Sequence, residues 1–191
     1  MLATQPWDTT DVTTRVLEWA RSVDPVPLAE PVRSGPGAYL LVVSSDVALY
    51  APLAGDPAYA GASDDLAARA ARHRTSLQGT DGLRVEDVWV RWLPTEGRAD
   101  SLYVEALLQG VTRPPLNHAV GCGLGSRSQG RARVAAQRPT KFDHLHPGRP
   151  WARRPSPAER AKAILDFALH LASREPTGLW DPIGRPLPAA A

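Results

Sequence analysis

The sequence contains a single cysteine, Cys122, among its 191 residues. One thiol cannot form a disulfide within the chain or build a cysteine-rich zinc site. The sequence also lacks an apolar run close to the ~20 residues that span a bilayer. Its first residues have neither the basic segment nor the apolar segment of a secretory signal. These absences favour a soluble, cytoplasmic protein, and the apolar fraction of 43% is large enough for a packed core.

The net charge is only +2, but the charges are unevenly distributed. Residues 1–112 carry nine Lys/Arg and fifteen Asp/Glu, whereas residues 113–162 carry eleven Lys/Arg and two Asp/Glu. A basic segment of this density favours a polyanionic partner such as DNA. A solvated or disordered tail is the alternative. However, the segment contains Phe142, Leu145 and Trp151, and such side chains are unusual in disordered basic tails.

The pattern of apolar residues predicts helices at 11–23, 63–78, 100–109 and 157–173, with Ser63 and Asp100 or Ser101 as caps. Short apolar segments predict strands at 37–44, 58–62 and 84–93, with residues 47–50 as a further hairpin partner. Residues 114–155 are rich in Gly, Arg and Pro and are predicted to form loops. This order predicts an α+β fold. It consists of a small, mostly antiparallel three-stranded sheet flanked by helices, with long basic loops and a C-terminal helix.

Two short segments carry a first family resemblance. Gly37-Ala38-Tyr39 and Tyr59-Ala60-Gly61 resemble the two halves of the motif that names the GIY-YIG nuclease superfamily. The polar residues that this superfamily places further along the chain are also present in order: Arg69, His73, Glu105 and, after Pro115, Asn117.

A more specific resemblance lies downstream. Several segments are similar to the small type II restriction endonucleases that cut the palindrome CCGCGG: Leu116-Asn-His, Gly121-Cys-Gly-Leu-Gly, Gln129-Gly-Arg-Ala-Arg and Phe142-Asp-His-Leu-His-Pro-Gly-Arg-Pro-Trp-Ala. The resemblance covers roughly residues 35–155, and it implies a GIY-YIG catalytic core at 35–118 and a basic DNA-binding loop region at 119–155. Composition alone predicts the other two regions, which are an N-terminal helix and Pro-rich connection at 1–34 and a C-terminal helix and tail at 156–191.

Three alanines depart from the pattern of the superfamily. Ala38 and Ala60 stand where larger apolar residues are usual, which predicts altered packing within the strands. Ala62 stands where many relatives carry a lysine just after the second half of the motif. This difference leaves the rate of cleavage open.

The resemblance implies phosphodiester hydrolysis with one Mg²⁺, for which Mn²⁺ can substitute. Glu105 is then the metal ligand, because hard cations prefer carboxylate oxygens. Tyr39 accepts the proton of the attacking water. Since the usual pKa of tyrosine is about 10, a nearby cation such as Arg69 or the metal is expected to favour its phenolate form. A solvated glutamate and ordinary strand aromatics are the alternatives.

The resemblance also implies roles for the other site residues. Arg69 clamps the scissile phosphate, and His73, on the same helical face, hydrogen-bonds the phosphate or Tyr59. Tyr59 supports the same network as the first tyrosine. Asn117 anchors a turn near the sheet edge, in a role as readily structural as catalytic. A surface ion pair between Arg69 and Asp65 and a structural histidine are the alternatives.

The basic residues are interpreted as contacts to DNA phosphates or guanine edges: Arg72, Arg127, Arg131, Arg133, Arg138, Lys141 and Arg149. Cutting both strands requires two sites, which predicts a homodimer on double-stranded DNA. The dimer is expected to use the N-terminal helix or the helix after Pro155. A cognate DNA methyltransferase encoded nearby is a further expected partner. His144 and His146 do not suggest a metal site, because no second pair of ligands accompanies them.

Two other functions fit the sequence. A GIY-YIG nuclease of DNA repair or of branched DNA would have the same site and a different substrate. A DNA-binding protein that kept the fold and lost cleavage would account for Ala62.

Overall fold

The computed structural model describes residues 9–121, 124, 139–175, 177 and 180. A four-stranded antiparallel sheet lies at the centre, in the order β1-β4-β2-β3. Its strands are β1 (Val26–Pro27), β2 (Gly37–Val43), β3 (Tyr59–Ser63) and β4 (Val88–Pro94). The predicted α+β class is therefore confirmed, although the sheet has four strands and not three.

Helices flank the sheet, as predicted. They are α1 (Thr9–Ser22), α2 (Leu66–Leu77), α3 (Arg98–Thr112), α4 (Pro115–His118), α5 (Lys141–Leu145) and α6 (Pro157–Ala172). Within the described ranges, no helix is long and apolar enough to cross a bilayer. The short helices α4 and α5 lie where only loops were predicted. A reciprocal pair of bonds between Thr140 and Asp143 caps the start of α5 and explains why so short a helix forms there.

Strand β2 is buried along its whole length, because both faces of the sheet are covered. Its side chains alternate between two cores. Tyr39, Leu41 and Val43 point into the larger core, which also receives apolar side chains from α2, α4 and α6. Ala38 and Leu40 point into a smaller core with side chains from α1 and α3.

The alanines of the motif face α3. Ala38 and Ala60 pack against Val104 and Leu108 of this helix in the smaller core. Small side chains at these positions leave room for α3 to lie close to β2 and β3. The departure of these two residues from the family pattern is thus an adjustment of packing between helix and sheet.

Two sheet predictions are wrong. Residues 47–50 form a turn that leads into the 3₁₀ helix Ala51–Leu53, and they do not pair with β2. The additional strand is instead β1, which lies in the proline-rich connection and pairs with β4. Pro27 has no N–H to donate, which is tolerated in an edge strand.

Two helix boundaries also differ from the prediction. Asp65, not Ser63, caps α2, since its side chain accepts a hydrogen bond from the N–H of Ala68 at 3.1 Å. Helix α3 begins at Arg98 and continues through Gly110 to Thr112. A glycine inside a helix costs only about 1 kcal/mol relative to alanine, so the contacts of α3 with the sheet outweigh it.

A buried arginine on β4 holds α1 in place. The guanidinium of Arg91 donates to the carbonyls of Arg21 and Val23 at the C-terminal end of α1. It also lies 5.0 Å from the ring centre of Trp180. A cation at the last carbonyls of a helix is favourable, so these contacts fix α1 against the sheet.

Candidate active site

The two tyrosines of the motif lie side by side near the β3 edge of the sheet. Tyr39 on the central strand β2 has no exposed surface, and its register partner on β3 is Gly61. The ring centres of Tyr39 and Tyr59 are 5.9 Å apart. The second half of the motif therefore packs against the first, as the predicted network requires.

Gly61 makes this packing possible. A Cβ atom at this position would lie 2.5 Å from the phenol oxygen of Tyr39 and 2.8 Å from the Tyr59 ring. Both distances are far below van der Waals contact. Any side chain at position 61 would displace one of the two tyrosines, which explains the glycine in the motif.

His73 on α2 completes a buried aromatic cluster with these tyrosines. Its Nε2 lies 2.7 Å from the Tyr39 hydroxyl, and its ring centre lies 6.0 Å from that of Tyr59. Burial, followed by the charges of Arg69 and Arg72, lowers the pKa of His73 to about 3. The imidazole is therefore neutral at neutral pH.

Tyr39 is also neutral in this environment. Burial raises the pKa of Tyr39 well above 10, and Tyr59 and Glu105 raise it further, whereas Arg69 lowers it. The effect of Arg69 has the expected direction. However, desolvation outweighs it, so this arginine alone does not produce the phenolate that the sequence analysis expected.

Arg69 lies one turn before His73 on α2, as the spacing of four predicted. It is half-buried, and its Nε has no hydrogen-bond partner within the described part of the chain. Its Nη2 lies 3.5 Å from the carbonyl of Ala62, which is a long contact. Most of the donor capacity of this guanidinium therefore remains available beside Tyr39.

Glu105 on α3 lies within electrostatic range of Tyr39. It is only 6% exposed, and its charge is among the causes that raise the pKa of Tyr39. The side-chain amide of Gln109, one turn later, donates to Glu105 Oε1 at 2.8 Å. The sequence analysis missed Gln109, although its i, i+4 spacing from Glu105 is a signal for such a bond.

Asn117 has a structural task. Its side chain donates to the carbonyl of Ala60 at 2.9 Å and accepts from the N–H of Ala60 at 2.8 Å. These two bonds imitate strand pairing and hold α4 against β3, next to Tyr59. The geometry supports the structural alternative for Asn117 and makes it a positioning residue.

The residues predicted to contact DNA fall into three groups. Arg72 on α2 and Lys141 on α5 are exposed. Arg149 is buried, and the prediction that it contacts DNA is wrong: its Nε donates to Asp143 Oδ1 at 2.6 Å, and its other nitrogens donate to Ser76, Leu124 and Thr140. The other predicted contacts lie outside the described residues: Arg127, Arg131, Arg133 and Arg138.

His144 and His146 lie at the C-terminal end of α5. The described residues contain no cluster of three or more His, Cys, Asp or Glu that could hold a metal ion. His146 is buried, with Nε2 2.9 Å from the hydroxyl of Tyr50 and Nδ1 3.2 Å from the carbonyl of Asp81. It therefore belongs to the core.

An antiparallel sheet that brings two motif tyrosines together with an arginine, a histidine and a glutamate from flanking helices has the residues and fold expected of a GIY-YIG nuclease. The chain matches the family model described as the Eco29kI GIY-YIG domain over residues 54–170, and it belongs to that family. It is accordingly a nuclease of the type II restriction kind, a deoxyribonuclease. Tyr59, Arg69, His73, Glu105 and Asn117 lie within the matched residues. A search of curated proteins found no match.

Proposed function

We propose that this protein is a sequence-specific endonuclease that cuts both strands of double-stranded DNA with one Mg²⁺ per active site. The observation that supports this proposal most strongly is the convergence of Tyr39, His73, Arg69 and Glu105 from one strand and two helices. The family supports the class of reaction, and the contacts of these side chains support the roles proposed below.

Arg69 is suited to bind the scissile phosphate. Its half-buried guanidinium has an unsatisfied Nε and only a long contact at Nη2. A guanidinium can donate two parallel hydrogen bonds to a phosphate. In a partly dehydrated site these bonds would stabilise the negative charge that develops in the transition state.

Tyr39 and His73 are suited to move a proton. A neutral Tyr39 can accept the proton of the attacking water only if its own proton leaves, and His73 Nε2 is 2.7 Å away. The lowered pKa of His73 keeps the imidazole neutral and also makes it a weak base, so Nε2 can accept a proton in the tautomer whose other ring nitrogen carries the hydrogen. In this step a water O–H bond breaks, Tyr39 gains that proton, and the former phenol proton moves to Nε2. The charge of a bound phosphate would stabilise the resulting imidazolium.

Glu105 is the residue that would hold the metal. A single buried carboxylate, without a His or Cys cluster among the described residues, suits a hard cation that keeps several waters. Mg²⁺ bound there would neutralise phosphate charge and lower the pKa of coordinated water. Gln109 occupies one carboxylate oxygen and thereby orients the other.

Ala62 supports a second candidate, a DNA-binding protein with weak or lost cleavage. Its side chain is a buried methyl group at the edge of the site, where the family resemblance leads one to expect a lysine. No nearby position supplies that ammonium group: residues 60–68 contain no Lys or Arg. Only a cleavage assay separates this candidate from the active nuclease.

The test is digestion of a mapped plasmid, followed by sequencing of the product ends. We expect defined double-strand cuts in Mg²⁺ or Mn²⁺, and binding without efficient cutting in Ca²⁺. Glu105→Gln is the matched control, because it keeps the shape and removes the charge. Cutting in excess EDTA, or by this variant at the normal rate, would contradict the metal assignment. Binding without cutting in any metal would favour the second candidate.

The recognition sequence is expected to be a short GC-rich palindrome read by a homodimer. Two-fold DNA matches a two-fold protein, and arginine binds guanine edges in bidentate fashion. End-sequencing reads the site directly. A DNA methyltransferase gene beside this one, modifying the same sequence, would identify the system as restriction rather than repair.

A further inference from the structure

Trp92 on β4 lies directly beside Tyr39 and has no part in the proton transfer proposed above. The two residues are register partners, so their side chains lie on the same face of the sheet. Their ring centres are 5.5 Å apart, compared with 5.9 Å for Tyr59 and 5.3 Å for His73. Trp92 is half-buried and packs against the larger core. It is therefore as close a neighbour of Tyr39 as the other two aromatic side chains are.

The two register partners of Tyr39 are opposite in size. On β3, Gly61 has no side chain, and the phenol oxygen of Tyr39 lies 2.5 Å from the point that a Cβ atom of Gly61 would occupy. The Tyr39 ring therefore leans over β3. On β4, the indole of Trp92 fills the other side. More than one χ1 rotamer is common for a side chain in a strand, and these two neighbours leave space for one direction of lean.

The direction of this lean decides which groups the Tyr39 hydroxyl meets. Over β3 the hydroxyl lies 2.7 Å from His73 Nε2. A ring that turned toward β4 would move its hydroxyl away from this nitrogen and from Tyr59. Proton transfer requires hydrogen-bond distance, and a misplacement of about 1 Å in an active site can cost about 100-fold in rate. The indole of Trp92 is thus placed to hold Tyr39 in its working position.

Core packing alone does not account for a tryptophan at position 92. Its Nε1 is buried and has no hydrogen-bond partner among the residues described. A buried donor without an acceptor costs free energy that a phenylalanine or a leucine would avoid. Trp151 and Trp180 also have an unpaired Nε1, but each packs on the guanidinium of an arginine. Trp92 packs on Tyr39 instead, so the group that it supports is the tyrosine ring.

We propose that Trp92 is a positioning residue for DNA cleavage, which together with Gly61 holds the Tyr39 hydroxyl against His73. This role rests on the proposed function, in which Tyr39 and His73 move a proton. Trp92 acts through Tyr39 and needs no contact of its own with DNA. Its loss should therefore lower the rate of the chemical step and leave DNA binding nearly unchanged.

The first test separates rate from binding. Trp92→Ala is expected to lower the cleavage rate at saturating protein in Mg²⁺ about tenfold or more, and to leave the DNA dissociation constant in Ca²⁺ within about threefold of wild type. Trp92→Phe keeps a ring beside Tyr39 and should lose less. Trp89→Ala is the matched control, because Trp89 is half-buried on the same strand and points to the opposite face. It should leave both quantities within about threefold of wild type.

A double change tests whether Trp92 acts through the tyrosine. In a Tyr39→Phe background the hydroxyl is already absent, so Trp92→Ala should lower the remaining rate no further. Two residues that act as one unit give such a non-additive result, whereas independent losses of packing add.

Nuclear magnetic resonance of the protein without DNA or metal measures the hydrogen bond itself. The ¹⁵N signal of His73 Nε2, assigned by its absence in His73→Gln, reports whether Tyr39 donates to this nitrogen. In Trp92→Ala the signal should move most of the way to its position in Tyr39→Phe, in which the bond cannot form. In Trp89→Ala it should not move. If Trp92→Ala does not fold, Trp92→Leu replaces it in each measurement.

The inference is overturned if Trp92→Ala cuts at the normal rate while Tyr39→Phe does not. It is also overturned by a lower rate without a change at His73 Nε2, or by a further loss in the double variant, since either result marks a general effect on packing. A wild type that does not cut, or normal cleavage by Tyr39→Phe, contradicts the proposed function. The nitrogen signal then decides by itself whether Trp92 holds the Tyr39 ring.

Discussion

The larger core contains two clusters with the same residue types and different contacts. The first, the Tyr39 cluster, consists of Tyr39, His73 and Arg69. The second, the Tyr50 cluster, consists of Tyr50, His146 and Arg149. In each, a buried tyrosine hydroxyl lies within 3 Å of a histidine Nε2, at 2.7 Å and 2.9 Å respectively.

The two clusters differ in how completely their polar atoms are paired. In the Tyr50 cluster, Nδ1 of His146 lies 3.2 Å from the carbonyl of Asp81. A carbonyl only accepts, so Nδ1 carries the proton and Tyr50 donates to Nε2. In the Tyr39 cluster, Nδ1 of His73 has no partner among the residues described. Its tautomer is therefore not fixed by a neighbour, and the proton shared with Tyr39 can move.

The arginines of the two clusters, Arg69 and Arg149, also differ in how completely their nitrogens are paired. Arg149 has no exposed side-chain surface and is paired with buried Asp143, and it stacks between Phe142 and Trp151. Arg69 is half-buried with an unsatisfied Nε. Buried polar groups are normally hydrogen-bonded, so the unpaired atoms of the Tyr39 cluster are compatible with the proposed phosphate site. The Tyr50 cluster, in contrast, stabilises the fold.

The largest expected effects come from exchanging the arginines for alanine. Arg69→Ala should lower the cleavage rate about 100-fold or more, because it removes the phosphate clamp, with little change in stability. Arg149→Ala should lower the free energy of unfolding by about 3–5 kcal/mol, because it leaves Asp143 buried without its partner. Both effects are measured by determining the cleavage rate and the urea unfolding curve of each variant.

Arg72→Ala is the control for the stability measurement alone, since this side chain is exposed on the same helix as Arg69. It should change the unfolding free energy by less than about 0.5 kcal/mol. The comparison fails if Arg69→Ala cuts normally, or if Arg149→Ala is as stable as wild type.

The next largest effects come from removing the hydroxyl group of Tyr39 or of Tyr50, and the two changes should have different consequences. Tyr39→Phe should abolish most cleavage, whereas Tyr50→Phe should leave the rate within about threefold of wild type. Tyr50→Phe should instead lower the free energy of unfolding by about 1–3 kcal/mol, because His146 loses its partner. If Tyr39→Phe cuts at the normal rate, the base lies elsewhere.

Much of the fold and of the candidate site could be predicted from the sequence, because the signals were local. The period of apolar residues placed β2, β3, α1 and α6, and the spacing of Arg69 and His73 placed them on one face. Strand β1 could not be predicted, since Val26-Pro27 is too short to show alternation and pairs only because β4 is nearby.

The error at Arg149 has a similar origin. An arginine in a basic segment resembles a DNA contact, and only the tertiary structure places the carboxylate of Asp143 beside it. Burial, which sets the protonation of Tyr39 and His73, is likewise a property of the packed core and not of the local sequence.

In the absence of DNA, acidification should lower the free energy of unfolding through both buried histidines, His73 and His146. The pKa is lowered to about 3 for His73 and to about 4 for His146, mainly by burial. The unfolded chain, with a pKa near 6.5, binds protons that the folded chain does not. Stability is therefore complete above about pH 6.5 and falls below it, by about 1 kcal/mol per pH unit for each histidine. Urea unfolding between pH 7 and pH 5 measures the loss.

DNA binding should change the pKa of His73 and leave that of His146 unchanged. A phosphate bound at Arg69 lies close to His73 and should raise its pKa by about one unit or more. His146, inside the Tyr50 cluster, should not respond. Titration of the two imidazoles by NMR, with and without duplex DNA in Ca²⁺, measures both. Equal shifts at both histidines would remove the basis for placing the phosphate beside the Tyr39 cluster.

The smallest expected effect is a change in the salt dependence of DNA binding when a single basic side chain that faces DNA is removed. Arg72 is exposed directly before His73 on α2, and Lys141 is exposed on α5, so each is available to a phosphate. Loss of one phosphate contact lowers the slope of log K against log salt by about 0.9. Arg72→Ala and Lys141→Ala should each reduce the slope by about that amount and weaken binding a few-fold. Arg149→Lys should leave the slope unchanged, because a buried cation releases no counterion from DNA. A reduced slope for Arg149→Lys, in protein that is still folded, would return Arg149 to the DNA surface and show that the Tyr50 cluster opens when DNA binds.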